Sequence, residues 1–218
     1  ARIRIALALV ITLLIVPSLD PMPVLDPLSL DSVIISVQQL IIGVGMGLIV
    51  LIVFNAVTMA GEAIAITMGL GFALMNDPQN GAQVPTVSQF YLILATLLFL
   101  SLDGHHAVFV LLNDSFTLMP VGKALQADSF WQISQWGSTV FFGALSIALP
   151  ALAAMLTANI IMGVMTRAAP QLNLFSVGFP ITMTVGFIAI LYTLPVFQDV
   201  FDNLLVLAGE AIARLVRS

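Results

Sequence analysis

Few residues in this chain are equipped for chemistry, and they stand far apart. Glu62 is the first. It separates two uncharged runs, 32–61 and 63–76. An unpaired charge at a bilayer centre costs about 2.5–3.5 kcal/mol. Such a carboxylate is therefore protonated, paired or turned to water. Two readings stay open: a proton relay that titrates during work, or a carboxylate at a helix end held by water or backbone. Arg167 is the only charge between residues 129 and 198. It is the candidate partner for Glu62, since buried charges pair. His105 and His106 follow Asp103 closely, but neighbours on a helix point about 100° apart. A zinc site also needs further ligands at suitable spacing. A polar turn without a metal site is the expectation there. The chain has no cysteine, which removes thiol catalysis, disulfides and Cys-based zinc sites. Neither a G-x-S-x-G elbow nor a phosphate loop is present. The expectation is a protein that is not an enzyme and takes no cofactor.

One stretch asks for another explanation. Met68 to Gly81 reads MGLGFALMNDPQNG, with Gly69 and Gly71 before an Asn-Asp-Pro turn and Gly81 after it. It lies between two long apolar segments. Met68 and Met75 flank Phe72, and methionine fills irregular gaps because it is unbranched and polarizable. In a pore such residues would form a soft seal; in a core they would be filler.

The elements that must position these residues are helices in an apolar solvent. Of 218 residues, 60% are hydrophobic and 8% charged, against roughly 25% charged in soluble domains. A soluble core of this size could not hide so much apolar surface, so lipid or neighbouring subunits must cover it. The net charge is −5 with six basic residues, which gives no basic footprint for nucleic acid. The opening "ARIR" resembles the start of a signal peptide, but no polar domain follows, so it reads as a membrane helix. Arg2 and Arg4 favour a cytoplasmic start, while the other basic residues fall in different connectors and leave orientation open.

About 20 apolar residues span a bilayer as a helix. The clearest helix is expected over 33–59. Gly43 and Gly47 within it form a G-x-x-x-G pair, which lets another backbone approach, although glycine is also common in membrane helices. Residues 86–102 and 105–119 are two shorter apolar pieces, one bent segment or a hairpin. The polar connector 120–135 ends near Trp131 and Trp136, which suit a membrane interface. Two long helices follow, about 137–165 and 172–197, with Pro150 and Pro180 expected inside them as kinks. Kinks in lipid need neighbours to satisfy freed carbonyls. The tail 199–217 opens with Asp199 and Asp202 and closes with Arg214 and Arg217, in the order the helix dipole favours. Phe201, Leu204, Leu205, Ala208, Ile212 and Leu215 recur at helical spacing, with Glu210 and Arg214 four apart. An amphipathic end helix at an interface or on a partner is expected.

Three segments taken in order carry a resemblance. They are residues 60–81 (AGEAIAITMGLGFALMNDPQNG), 99–106 (FLSLDGHH) and 149–186, which holds the Arg167-Ala169-Pro170-Gln171 turn and Gly178-Phe179-Pro180. Together they resemble the FliR family of the flagellar type III protein export gate, whose injectisome counterpart is the SctT family. Gly178-Phe179-Pro180 and Gly104-His105 favour the flagellar branch. Family members usually carry a further hydrophobic segment at the front.

The resemblance implies an all-α, membrane-type bundle of kinked helical hairpins. Residues 1–135 would be FliP-like and include a pore loop over 68–84. Residues 136–218 would be a FliQ-like bent hairpin with an amphipathic C-terminal helix. One such subunit would join several copies of FliP and FliQ in a hetero-oligomeric helical cone, with FlhB and FlhA as further partners. It would sit in the bacterial inner membrane at the flagellar basal body and help conduct unfolded substrates. The loop would help close the pore, with Gly69, Gly71, Phe72, Asp77 and Pro78 matching the family pattern. Leu74 and Met75 stand where the family has other apolar residues. The alternative is a secondary transporter with a midplane site near Glu62. It would require an internal repeat of broken helices, and the glycine-rich and proline-kinked halves show no convincing match.

Overall fold

The computed structural model describes residues 2–19, 26, 29–70, 86–123, 127–168 and 178–217. Seven α-helices follow in order, and no strand occurs among the described residues. They are α1 (Arg2–Ile15), α2 (Leu30–Thr67), α3 (Thr86–Ser101), α4 (Gly104–Leu118), α5 (Ala127–Trp136), α6 (Thr139–Ala168) and α7 (Phe179–Arg217). The protein is an all-α bundle of the membrane type. By length and composition α2, the stretch Ser129–Ala168 and α7 can each cross a bilayer. The α3–α4 pair is one segment bent by 64° at its break.

α2 is the central post, packed against α3, α6 and α7. It is longer than the expected 33–59. Ser29 starts it by accepting a hydrogen bond from the Ser32 amide at 3.2 Å, and Asp31 lies in the first turn. Its polar side chains turn back on the helix: the Thr58 hydroxyl donates to the Phe54 carbonyl at 3.0 Å. The helix therefore runs through Glu62 without a break.

One stripe of α2 is buried, from Ile42 through Ile49, Val53, Ala56 and Ala60 to Ile64. Small residues let the helices close up. Gly143 on α6 is packed so tightly that a Cβ there would lie 3.0 Å from Ala56 Cβ and from Leu204 Cδ1 on α7. Aromatic rings fill the remaining space. Tyr91 of α3 meets Phe197 of α7 edge-on at 5.1 Å, and Phe54 of α2 meets Phe201 at 5.9 Å.

Three expectations change. The tail is not a separate helix. Residues 199–217 continue α7 without interruption, and Phe201, Leu204, Ala208, Ile212 and Leu215 enter the chain's own core. The periodicity was right, and the Glu210–Arg214 pair forms at 2.9 Å; the surface that this stripe covers belongs to the same chain. Pro180 is the second residue of α7, while Pro195 is the one inside it. Near a helix start a missing N–H is tolerated; in the interior it removes a bond. Trp136 is not a wet interfacial ring. Its indole Nε1 donates to the Ile49 carbonyl at 3.1 Å. Trp131 does face outward, at 63% exposure.

Candidate functional site

The described part of the glycine-rich stretch is its root. α2 ends there by a Schellman arrangement: the Gly69 amide donates to the Ile66 carbonyl and the Leu70 amide to the Ala65 carbonyl, each at 3.0 Å. Gly69 has φ +85°, a backbone region that glycine occupies without penalty. The first glycine of the stretch is thus a helix stop.

Met68 is the anchor of this root. Its side chain is fully buried and lies over Gly186 of α7. A Cβ at Gly186 would fall 2.5 Å from Met68 Cγ and 2.8 Å from its sulfur, so the missing side chain is the notch that receives the thioether. Phe179 closes the other side, with ring atoms 3.3 Å from where a Gly69 Cβ would stand. The Thr182 hydroxyl reaches the Met68 carbonyl at 3.4 Å. Leu70 and Thr86, the described residues that flank 71–85, both line one apolar cleft of about 480 Å³ with Phe90, Met183, Phe187 and Leu191. Both ends of that segment therefore spring from one place, between α2, α3 and α7. Gly71, Phe72, Leu74, Met75, Asp77 and Pro78 lie outside the described residues.

The charged candidates do not come together. Glu62 is half-buried on α2 and Arg167 is exposed in the last turn of α6. No ion pair joins them among the described residues, so the candidate pairing is not made there. Gly43 and Gly47 are exposed, and a Cβ at either would meet nothing within 4 Å among the described residues. The glycines that bring elements of this chain together are others. A Cβ at Gly61 would lie 2.5 Å from the Ser88 Cα of α3, and one at Gly45 would lie 3.0 Å from Ile133 of α5. A signal was present in the sequence: Val57, Gly61 and Ala65 recur four apart on one buried face of α2.

The histidines also depart from expectation. Asp103, His105 and His106 do converge, with one ligand atom from each lying within 4.8 Å of the others. The two rings pack at 4.1 Å between centroids. The divergence of neighbouring helical positions applies at Cβ, and imidazoles at a sharp bend are long enough to close the gap.

Comparison with known proteins gives one consistent result. A sequence model of the family described as bacterial export proteins, family 1, matches residues 1–207. A flagellar biosynthetic protein FliR from Pectobacterium carotovorum is 40% identical over 212 residues, covering 93% of this chain and 81% of that protein. The protein of the same name from Escherichia coli is 35% identical over 219 residues, covering 98% and 84%. That of Aquifex aeolicus is 31% identical over 205 residues, covering 92% and 78%.

Proposed function

The chain belongs to family 1 of the bacterial export proteins, with the FliR components of the flagellar export apparatus, and we propose that it forms part of the protein-conducting pore for unfolded flagellar substrates. It does so beside FliP and FliQ, with several copies of each around one copy of this chain, and in contact with FlhB and FlhA. Residues 1–135 act as the FliP-like part and 136–218 as the FliQ-like part. The assembly sits in the inner membrane at the basal body and carries out no bond chemistry.

Residues 68–84 supply the closing element. Phe72, Leu74 and Met75 act as the apolar stopper, and Asp77-Pro78 turns the chain back. Met68 and Gly69 have a different part from the rest: they fix the root. The observation that carries this reading is the shared base of the segment, with Leu70 and Thr86 lining one cleft and Met68 seated in the Gly186 notch. A segment anchored at both ends can be displaced and still return to one place. Gly43 and Gly47, which meet nothing within 4 Å among the described residues, are the proposed contact for a helix of a neighbouring gate subunit.

Deleting residues 71–82 keeps the root and removes the stopper. Cells carrying the assembled variant gate are expected to leak small ions across the inner membrane. A wild-type leak from a fully assembled variant gate rules out the stopper.

A further inference from the structure

We propose that the elbow between α3 and α4 is a binding site for a divalent transition-metal ion of the zinc class, held by the Asp103 carboxylate and the His105 and His106 imidazoles. The turn that builds it is specific. Asp103 has φ 54°, an uncommon left-handed conformation for a residue other than glycine, though aspartate tolerates it better than most. Gly104 leaves room for the Phe99 ring, which a Cβ would approach to 2.4 Å. The chain thereby bends by 64° and swings the carboxylate back over the first turn of α4.

The side chains are not spent on the ordinary tasks of such a position. An aspartate before a helix usually caps it by accepting from amides of the first turn. Asp103 makes no such capping bond. Its Oδ1 lies instead 3.2 Å from His106 Nδ1. Two ligands bonded to zinc at about 2.0 Å in a tetrahedron stand about 3.3 Å apart, so this pair already has the spacing of a coordination edge. His105 Nδ1 is shielded from solvent and has no hydrogen-bond partner among the described residues. The three ligand atoms lie within 4.8 Å of one another, so adjustments of at most about 1.5 Å bring them to the edges of a zinc tetrahedron. Two imidazoles and one carboxylate suit zinc, cobalt or nickel rather than magnesium or calcium, which prefer oxygen. Asp103 and His106 are well exposed, at 74% and 69%, which leaves the remaining coordination position open to water.

The test uses the full chain, purified in detergent with any histidine tag removed. Cobalt(II) is titrated and its visible ligand-field absorption followed, with zinc(II) as competitor. The expected result is one cobalt per chain, displaced by zinc, with affinity reduced about tenfold or more in D103N, H105A and H106A. Circular dichroism checks that each variant is folded, and H106Q replaces H106A if that variant is not. An intact chain that gives no ligand-field bands overturns the site. So do bands that survive in the H105A/H106A double variant. Bands lost with the histidines but unchanged in D103N overturn the three-ligand assignment and leave the Asp103–His106 contact as a surface hydrogen bond only.

Discussion

At the scale of single residues, glycine decides most of what happens in this chain, and its positions are not equivalent. Gly61→Ala sets a methyl group against the backbone of Ser88, which has no flexible end to move aside. The expected cost is about 1–3 kcal/mol from overpacking, seen as a lower melting temperature in detergent. Gly43→Ala meets nothing among the described residues, so its melting temperature should not fall, while recovery of the variant with its gate partners should fall. Equal melting losses for both variants would contradict the packing described. Gly186→Ala is intermediate, because it displaces Met68 from its notch; shortening the thioether with Met68→Ala in the same chain should recover part of the loss, and a double-mutant cycle measures it. The G-x-x-x-G spacing was legible in the sequence, but the side of α2 that faces inward was not. In an apolar helix both faces are hydrophobic, so polarity does not mark the inside as it does in water.

At the scale of elements, α7 shows how a correct pattern can be assigned to the wrong surface. The stripe from Phe201 to Leu215 was legible as helical spacing. Asp199 and Asp202 suggested a new helix because acidic residues favour a first turn. In the fold both are exposed on the outer face of a continuous helix, where a charge costs little. The difference has a consequence for truncation. Leu204 packs against Gly143, and Leu215 lies near Gly45, so residues 199–217 hold α2 and α6 in place. Removing them should make the rest of the chain sensitive to brief proteolysis in detergent. A truncated chain as resistant as the full one would show that this end is an accessory. Phe201→Ala should act in the same direction, with a loss of about 3–5 kcal/mol. The bend between α3 and α4 was legible as a break at Asp-Gly, since glycine punctuates apolar segments. Its convergence of side chains was not, because it depends on one backbone angle at Asp103.

At the scale of the whole molecule, the membrane solvent was legible from composition and the helical class from the length of the uncharged apolar runs. The arrangement was not, since it rests on contacts between distant segments: α2 packs chiefly on α6, across the proposed boundary between 1–135 and 136–218. Expressed as separate chains, these two parts should copurify when made together, and each should aggregate when made alone; a soluble, stable part in isolation would argue against a shared core. Much apolar surface stays uncovered by the chain itself. α1 buries none of its residues, and Leu40, Val44, Leu48 and Leu51 stand out from α2. The dimensions of α2 say something about where that surface can go. Asp31 and Glu62 bracket 30 uncharged residues (62 − 31 − 1) in one helix. At 1.5 Å per residue they extend about 45 Å, whereas the hydrocarbon layer is about 30 Å thick. Fitting that length inside the layer would require a tilt near 48°, beyond the usual range of 0–40°. The excess of roughly 15 Å then lies beyond the hydrocarbon layer, where Ser32, Ser36, Gln38 and Gln39 at the Asp31 end suit the polar headgroups, and Glu62 marks one end of that length rather than its middle.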